Sequence, residues 1–310
     1  MREDMIDGRL LRSQSGQYWV ETEEGVVHCT LRGRLKREKK ARSDLAVIGD
    51  RVCVRQLDEP GEGVIESVYP RDNRFSRRQP GGRGRYKEHV LVANLDWLFV
   101  VMACSRPAMN PRLLDRFLVI AELDRISVAV VANKLDDVSQ TEADRMFGMY
   151  AELGVPIHYT SAIARTGLDA LRERTRNKVS AFVGPSGVGK SSLLNALEPG
   201  LSIATGAISE TLDKGRHTTR VAELHPLPWG GYLADTPGIR ELASFELPVD
   251  RLADCFVEMR PHLGGCRFPN CRHDHEPNCR VQDAVAAGAI ASSRYDSYLR
   301  ILHGDERGEL

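Results

Sequence analysis

The sequence has no excess of charge of either sign: 43 basic side chains are matched by 43 acidic ones among its 310 residues. It therefore lacks the broad basic surplus with which a nucleic-acid binder usually announces itself, and any such partner must be read from where the charges sit. Long apolar runs are missing too. The longest, Trp97 to Cys104, is eight residues, against the roughly 20 that a membrane-spanning helix needs, so no membrane partner is expected. Met1-Arg2-Glu3-Asp4 opens with acids and no apolar segment, which argues against a secretory signal or transit peptide and predicts a cytoplasmic protein. No internal repeat or long low-complexity tract is present, so repeat architectures are set aside. The seven cysteines do not suggest a disulfide framework. Four are scattered (Cys29, Cys53, Cys104, Cys255) and three are bunched (Cys266, Cys271, Cys279), the pattern of a metal site in a reducing compartment. What is present is ordinary for a globular protein, 42% apolar and 28% charged residues, and the length suffices for two or three domains.

Changes of pattern divide the chain into three zones. Up to about residue 70, short β-type runs (Gln17–Val20, Gly25–Leu31, Asp50–Gln56, Gly63–Val68) alternate with Gly, Asp and Pro turn signals and no helical period, which predicts a small β-barrel over 1–70. From 71 to 245, apolar strands (Leu95–Ala103, Ser127–Ala132, Val179–Val183, Gly231–Ala234) alternate with helical stretches such as Arg112–Asp124 and Thr141–Leu153. That alternation predicts an α/β sheet with crossover helices. Residues 246–310 hold a Cys/His-rich loop between helical segments, too small a unit for a large core and one that a metal would help to hold.

Gly184-Pro185-Ser186-Gly187-Val188-Gly189-Lys190-Ser191 fits G-x-x-x-x-G-K-S between the strand Val179–Val183 and the helical run Ser192–Leu197. In that context the glycines let backbone N–H groups face a β-phosphate, the helix start adds its dipole, Lys190 neutralises β/γ oxygens and Ser191 can ligate Mg²⁺. Gly184, Ser186, Gly187, Val188, Gly189, Lys190, Ser191 and Ser192 are the candidate phosphate-binding residues.

The base is read elsewhere. Asn133-Lys134-Leu135-Asp136, at the end of Ser127–Ala132, is an N-K-x-D guanine reader. The Asp136 carboxylate can accept from guanine N1–H and N2–H₂, whereas adenine offers no N1 proton; two charge-assisted hydrogen bonds of roughly 1.5–3 kcal/mol each make the discrimination strong. Asn133 would bond the N7/O6 edge of the base or tie the loops together, and the Lys134 stem would cover the ring. Thr160-Ser161-Ala162, after Ile157–Tyr159, supplies a small-residue loop whose backbone N–H would meet guanine O6, with Ser161 and Ala162 as candidates. Asp235-Thr236-Pro237-Gly238 completes the set: Asp235 would hold Mg²⁺ through water and the Gly238 N–H would sense the γ-phosphate. Upstream, Gly215-Arg216-His217-Thr218-Thr219 offers a threonine for the first switch.

The order of these motifs is unusual. The base readers at 133 and 160 precede the P-loop at 184, whereas the usual GTPase runs P-loop, switches, base readers. This is a circular permutation, which keeps the sheet and relocates its ends to a surface loop. Its second switch, after Gly238, leads straight into the C-terminal zone, so a γ-phosphate-dependent movement could shift that zone. No glutamine follows D-x-x-G to position the attacking water; the next residues are Ile239, Arg240, Glu241 and Leu242. Intrinsic hydrolysis is expected at about 10⁻⁴ to 10⁻² per second or below. His217 is the candidate to orient the water, with a solvated loop histidine as the alternative reading.

Cys266-x4-Cys271-x-His273-x5-Cys279 gathers three thiols and one imidazole. Four N/S ligands suit one structural, tetrahedral Zn²⁺, with His262, His275 and Cys255 as competing ligands. Charge is also segregated. Arg32 to Arg42 holds seven basic residues and one acid, and Arg71 to Lys87 holds seven basic residues against Asp72, each net +6. Both read as basic loops on or beside the barrel, the second made flexible by Gly81-Gly82, and Tyr86 or Phe75 could stack on bases. Residues 1–89 carry 19 basic and 15 acidic groups, so the overall zero is a cancellation.

A barrel, N-K-x-D ahead of G-x-x-x-x-G-K-S, G-R-H-T-T, D-T-P-G-I-R-E and C-x4-C-x-H-x5-C together resemble the RsgA (YjeQ-type) small ribosomal subunit biogenesis GTPases over nearly the whole chain. Asn94-Leu95-Asp96, Pro111-Arg112-Leu113-Leu114-Asp115 and the surroundings of Glu276-Pro277 agree with that resemblance; Arg220 stands where many members have a third threonine. The resemblance implies a multidomain α/β protein: an N-terminal OB-fold RNA-binding β-barrel (1–70), a circularly permuted P-loop GTPase domain (71–245) and a C-terminal helical zinc-binding domain (246–310). It implies GTP hydrolysis to GDP and phosphate, stimulated by the small subunit, with Lys190, Thr219 (rather than Thr218) and His217 as catalytic residues. Zn²⁺ and Mg²⁺ with GTP are the implied cofactors and the small ribosomal subunit with its rRNA the implied partner, with action in late assembly; a monomer is expected.

Overall fold

The computed structural model describes residues 5–41, 45–80, 86–201, 222–235, 247 and 249–304. Strands β1 (Met5–Gln14), β2 (Gln17–Thr22), β3 (Gly25–Leu31), β4 (Arg51–Gln56) and β5 (Glu62–Val68) run in the order β1-β2-β3-β5-β4, and β4 returns to pair with β1. The sheet thus closes into the five-stranded barrel of an OB-fold. Closure needs one parallel contact, β3 on β5, from His28↔Glu62 to Leu31↔Ile65. Leu10, Tyr18, Val20, Cys29, Val52, Val54 and Ile65 fill the interior. Burial, with Glu62 nearby, pushes the Cys29 thiol up to about 12, so it packs as a small hydrophobe.

β1 is the longest strand of the barrel, yet its sequence Met-Ile-Asp-Gly-Arg-Leu-Leu-Arg-Ser-Gln has no clean alternation. It pairs on both sides, with β2 and β4, and a register shift between Leu10 and Arg12 breaks the period of two.

The basic run Arg32–Arg42 is largely a helix, α1 (Gly33–Ala41), and not a loop. Lys, Arg and Glu lose little rotamer freedom in a helix, Lys36 N–H bonds the Arg32 carbonyl at 2.9 Å, and Leu35 packs on the barrel core. The described part of the second basic stretch is not free chain either, while residues 81–85, with Gly81-Gly82, lie outside the described residues. It contributes β6 (Arg74–Pro80), which forms a two-stranded antiparallel sheet with β7 (Tyr86–Ala93). Phe75 pairs with Val92 and is fully buried, so it cannot stack on a base. Arg71 is spent on Asp50, its Nε and Nη2 donating to the two carboxylate oxygens at 2.7 and 2.8 Å. The Tyr86 side chain lies outside the described residues.

The second half of the sheet is β8 (Trp97–Ala103), β9 (Ser127–Asn133), β10 (Ile157–Tyr159), β11 (Val179–Val183), β12 (Glu223–Pro226) and β13 (Tyr232–Asp235), ordered β10-β9-β8-β11-β13-β12. All are parallel except β12, which runs antiparallel to β13. Alternation sorts β8: Leu98, Val100 and Met102 face one core with α2 (Pro111–Asp124) and α3 (Gln140–Glu152), while Phe99, Val101 and Ala103 face another with α4 (Leu168–Thr175) and α5 (Lys190–Leu197). Asn110 caps α2 ahead of Pro111, and Ser139 with Glu142 forms a capping box on α3.

The barrel and this sheet are continuous: β12 bonds β1 at Glu223↔Arg12. Tyr232 on β13 donates a hydrogen bond to Glu21 of the barrel. Cross-strand partners then run in one row, Asp235, Glu223, Arg12, Trp19, His28.

Beyond residue 247, three 3₁₀ turns (Val249–Arg251, Ala253–Cys255, Val257–His262) and two helices (Arg280–Ala286, Ser292–His303) enclose a core of Leu252, Phe256, Met259, Val281, Tyr298 and Ile301 that packs on Val119 of α2. Arg294, 2% exposed, lies at this junction. It donates to Asp115 of α2 at 2.6 Å and to both oxygens of Glu258 at 2.6 and 3.2 Å, with its guanidinium 4.5 Å from the Phe256 ring centre. Among the described residues no helix is long and apolar enough to cross a membrane. Replacing Arg294 by Met leaves two carboxylates buried without their cation, a loss of about 3–5 kcal/mol. The expected outcome is a lower urea midpoint and faster proteolytic release of the C-terminal helices; an unchanged midpoint would count against this clamp.

Candidate nucleotide site and metal centre

The P-loop candidates Gly184 to Gly189 join β11 to α5, which begins at Lys190. Two of the glycines are demanded by geometry. Gly184 has φ +142°, and a Cβ there would meet the Val101 carbonyl oxygen at 2.2 Å; Gly189 has φ +89°, and its Cβ would meet Asn133 Nδ2 at 2.6 Å. Lys190 turns its ammonium back into the loop, donating to the carbonyls of Gly184 and Pro185 at 2.7 and 2.6 Å. Val188 is buried, and Ser191 and Ser192 sit in the first turn of α5. Ser186 and Gly187 are exposed on the loop.

Asn133, only 1% exposed, is the knot between loops. Its Nδ2 donates to the Val188 carbonyl at 2.9 Å, and the Thr160 hydroxyl donates to its Oδ1 at 3.2 Å. Of the two roles open to Asn133 from sequence, these bonds carry the tie between the loops. Lys134, with φ +62°, donates to the carbonyls of Arg106 and Gly187 at 2.5 and 2.8 Å, so its stem spans from the P-loop to the turn after β8. Asp136 stays exposed on the short turn Leu135–Asp137. In Thr160-Ser161-Ala162 the first two N–H groups are used, on Ala132 and Thr166 carbonyls. Of these three N–H groups, that of Ala162 is the one left for a ligand.

Asp235 is exposed at the end of β13, beside β11. Asn133, Asp136, Ala162, Ser191 and Asp235 thus lie on segments that leave the same, C-terminal edge of the parallel strands, where open α/β sheets bind ligands. His217, Thr219 and Gly238 lie outside the described residues. Arg106 is the contributor that motif reading missed: it acts through a carbonyl, and no side-chain pattern marks it.

The four metal candidates come together. One ligand atom from each of Cys266, Cys271, His273 and Cys279 lies within 4.8 Å of the others. His273 Nδ1 is 3.5 and 3.3 Å from the sulfurs of Cys266 and Cys279. Burial pushes the Cys271 thiol up to about 12 and holds the His273 imidazole below its usual range, in the neutral form a ligand needs. Three thiols packed this closely become thiolates only around a cation, and the donor set fits tetrahedral Zn²⁺. The competitors are elsewhere: Cys255 bonds the Arg251 carbonyl, His275 pairs with Asp274, and His262 is not in the cluster. The loop is also braced from outside. Tyr295 and Tyr298 donate to the carbonyls of His273 and Arg272, both at 2.6 Å. Burial opposes ionisation of Glu276, but bonds from the backbone N–H groups of Arg272 and Asp274 outweigh it and bring the carboxyl down to about 2.

Two outcomes follow from this geometry. Asn133→Ala strands a buried carbonyl and a buried hydroxyl, a penalty of about 1–3 kcal/mol each; guanine-nucleotide affinity, followed by equilibrium binding, should fall at least tenfold with little change in far-ultraviolet circular dichroism. Chelation, or Cys271→Ser, should lower the bound zinc from one per chain and loosen residues 249–304, read by metal analysis and limited proteolysis.

Known proteins share this organisation. The profile described as RsgA GTPase matches residues 68–245, and that of the RsgA N-terminal domain matches 7–65. The small ribosomal subunit biogenesis GTPase RsgA of Gemmatimonas aurantiaca is 46% identical over 296 residues, 95% of each chain. Its counterpart in Moorella thermoacetica is 40% identical over 297 residues, 96% of each. The crystal structure of YjeQ from Thermotoga maritima superposes with a TM-score of 0.77 at 33% identity, covering 99% of this chain and 100% of that one. YloQ, described as a circularly permuted GTPase, gives 0.74 at 27% identity over 100% and 98%. Matched by these profiles and relatives over nearly its whole length, the chain belongs to the RsgA family of circularly permuted GTPases.

Proposed function

We propose that this GTPase works on the small ribosomal subunit late in its assembly, docking in the GTP state, hydrolysing GTP when the subunit stimulates it, and leaving in the GDP state. The carrying observation is that the candidate nucleotide site sits at the end of β13, whose neighbour β12 is bonded into the barrel, in a chain 46% identical to a protein named for small-subunit biogenesis. The division into an RNA-binding barrel (1–70), GTPase domain (71–245) and zinc domain (246–310) gives each task a unit, and the protein acts as a cytoplasmic monomer.

The residues take these roles. Asp136 accepts from guanine N1–H and N2–H₂ and Ala162 N–H donates to O6, while the Lys134 stem covers the ring. Gly184 to Ser192 and Lys190 hold the phosphates, and the Gly238 N–H senses the γ-phosphate. Ser191, Thr219 and Asp235 would hold Mg²⁺, which neutralises phosphate charge when bound. His217 orients the attacking water where no glutamine follows D-x-x-G. The barrel and zinc domain contact rRNA, with α1 presenting Arg34, Lys36 and Arg37.

Purified small subunits should raise the GTPase rate well over tenfold above an intrinsic rate of about 10⁻⁴ to 10⁻² per second. No stimulation would overturn the coupling. His217→Ala should keep GTP affinity and lose the stimulated rate; unchanged turnover would remove His217 from the reaction.

A further inference from the structure

The metal centre does more than fold its own loop. Each of its three cysteines is followed by an arginine: Cys266-Arg267, Cys271-Arg272 and Cys279-Arg280. Because the ligand atoms lie within 4.8 Å of one another, the three arginines that follow the cysteines come close together in the chain fold, and all three are exposed; a bound metal would hold them there. The loop folds back on itself, with Arg267 N–H on the Asn278 carbonyl at 3.3 Å. The Arg280 stem lies on Gly265, its Cγ 3.1 Å from where a Cβ would stand.

Phe268 projects from the same turn. It is 39% exposed, the one exposed phenylalanine among the described residues, and the Arg267 guanidinium lies 5.6 Å from its ring centre. The two acids of the loop are engaged. Glu276 accepts from backbone N–H groups, and Asp274 pairs with His303 Nε2 and His275 Nδ1, each at 3.1 Å. A Cys₃His site with Zn²⁺ would carry one net negative charge, which together with Asp274 and Glu276 matches the three arginines in sum; but the two acids are half-buried and bonded within the loop, whereas the three arginines are exposed.

We propose that Arg267, Phe268, Arg272 and Arg280 form a platform for a single-stranded RNA segment, phosphates on the guanidiniums and one unpaired base stacked on the Phe268 ring. Arginine forks match phosphate oxygens. An aromatic ring can stack only on a base already out of its helix, so the platform takes single strand over duplex. The proposal rests on the reading of a ribosomal RNA partner and names the surface that meets it.

The test uses the zinc-loaded full chain, a 4-thiouridine-labelled oligouridylate, a duplex RNA of equal length and purified small subunits. Photocrosslinking should map to the peptide carrying Phe268. Phe268→Ala should weaken oligouridylate binding about tenfold with zinc still at one per chain, and Phe268→Trp should retain it. Arg280→Gln should lower the salt dependence of binding. Crosslinks confined to the barrel, preference for the duplex, or unchanged affinity in Phe268→Ala would overturn the platform. If Phe268→Ala lost subunit docking but not oligouridylate binding, the face would belong to a protein contact and the platform would fall. A wild-type chain that bound oligouridylate through Phe268 but did not sediment with small subunits would keep the platform and overturn the ribosomal reading instead.

Discussion

The candidate nucleotide site depends on one buried carboxamide. Asn133 joins the Val188 carbonyl of the P-loop to the Thr160 hydroxyl of the loop after β10, and thereby fixes three loops from β9, β10 and β11. In an unpermuted GTPase these loops would follow the P-loop in sequence; here the P-loop comes last of the three. A hydrogen bond takes no account of chain order. As long as the carboxamide is buried and doubly bonded, Asp136, the candidate base reader, and the P-loop keep their spacing.

Permutation moves the burden to the joints. The chain enters its GTPase sheet from a barrel and leaves it into the unit that carries the Cys/His cluster, and each joint has its own physics. Toward the barrel it is backbone pairing, β12 on β1, reinforced by Tyr232 on Glu21. Toward the C-terminus it is a buried ion cluster, with Arg294 shared between Asp115 and Glu258. A buried ion cluster is a poor source of net stability, because desolvation offsets its attraction, yet removing one partner is costly because it leaves an uncompensated buried charge.

The fold class and the motif positions were legible in the sequence because each has a local signature. Ile157–Tyr159 and Val179–Val183 are short β-type runs between turn signals and appear as strands over those bounds. The Cys266/Cys271/His273/Cys279 spacing forms one cluster. What escaped was non-local. β1 is held by partners on both edges despite its irregular pattern, and α1 looked like a charged loop because its helical signal is only propensity plus Leu35. Phe75, among arginines, reads as an exposed ring; its burial follows from the β6–β7 pairing, which no local rule gives. Likewise the Arg106 carbonyl, which holds Lys134, carries no side-chain mark.

The β12–β1 bridge bears on how the chain folds as it is made. All five barrel strands lie within the first 68 residues, so the barrel can close while the rest is still being synthesised. The joint between Glu21 and Tyr232 spans 211 positions and has to wait for nearly three-quarters of the chain. Contacts of such separation form late and slowly. The barrel is therefore a finished unit before it has anything to be coupled to, and its coupling to the nucleotide site is among the last long-range contacts to form.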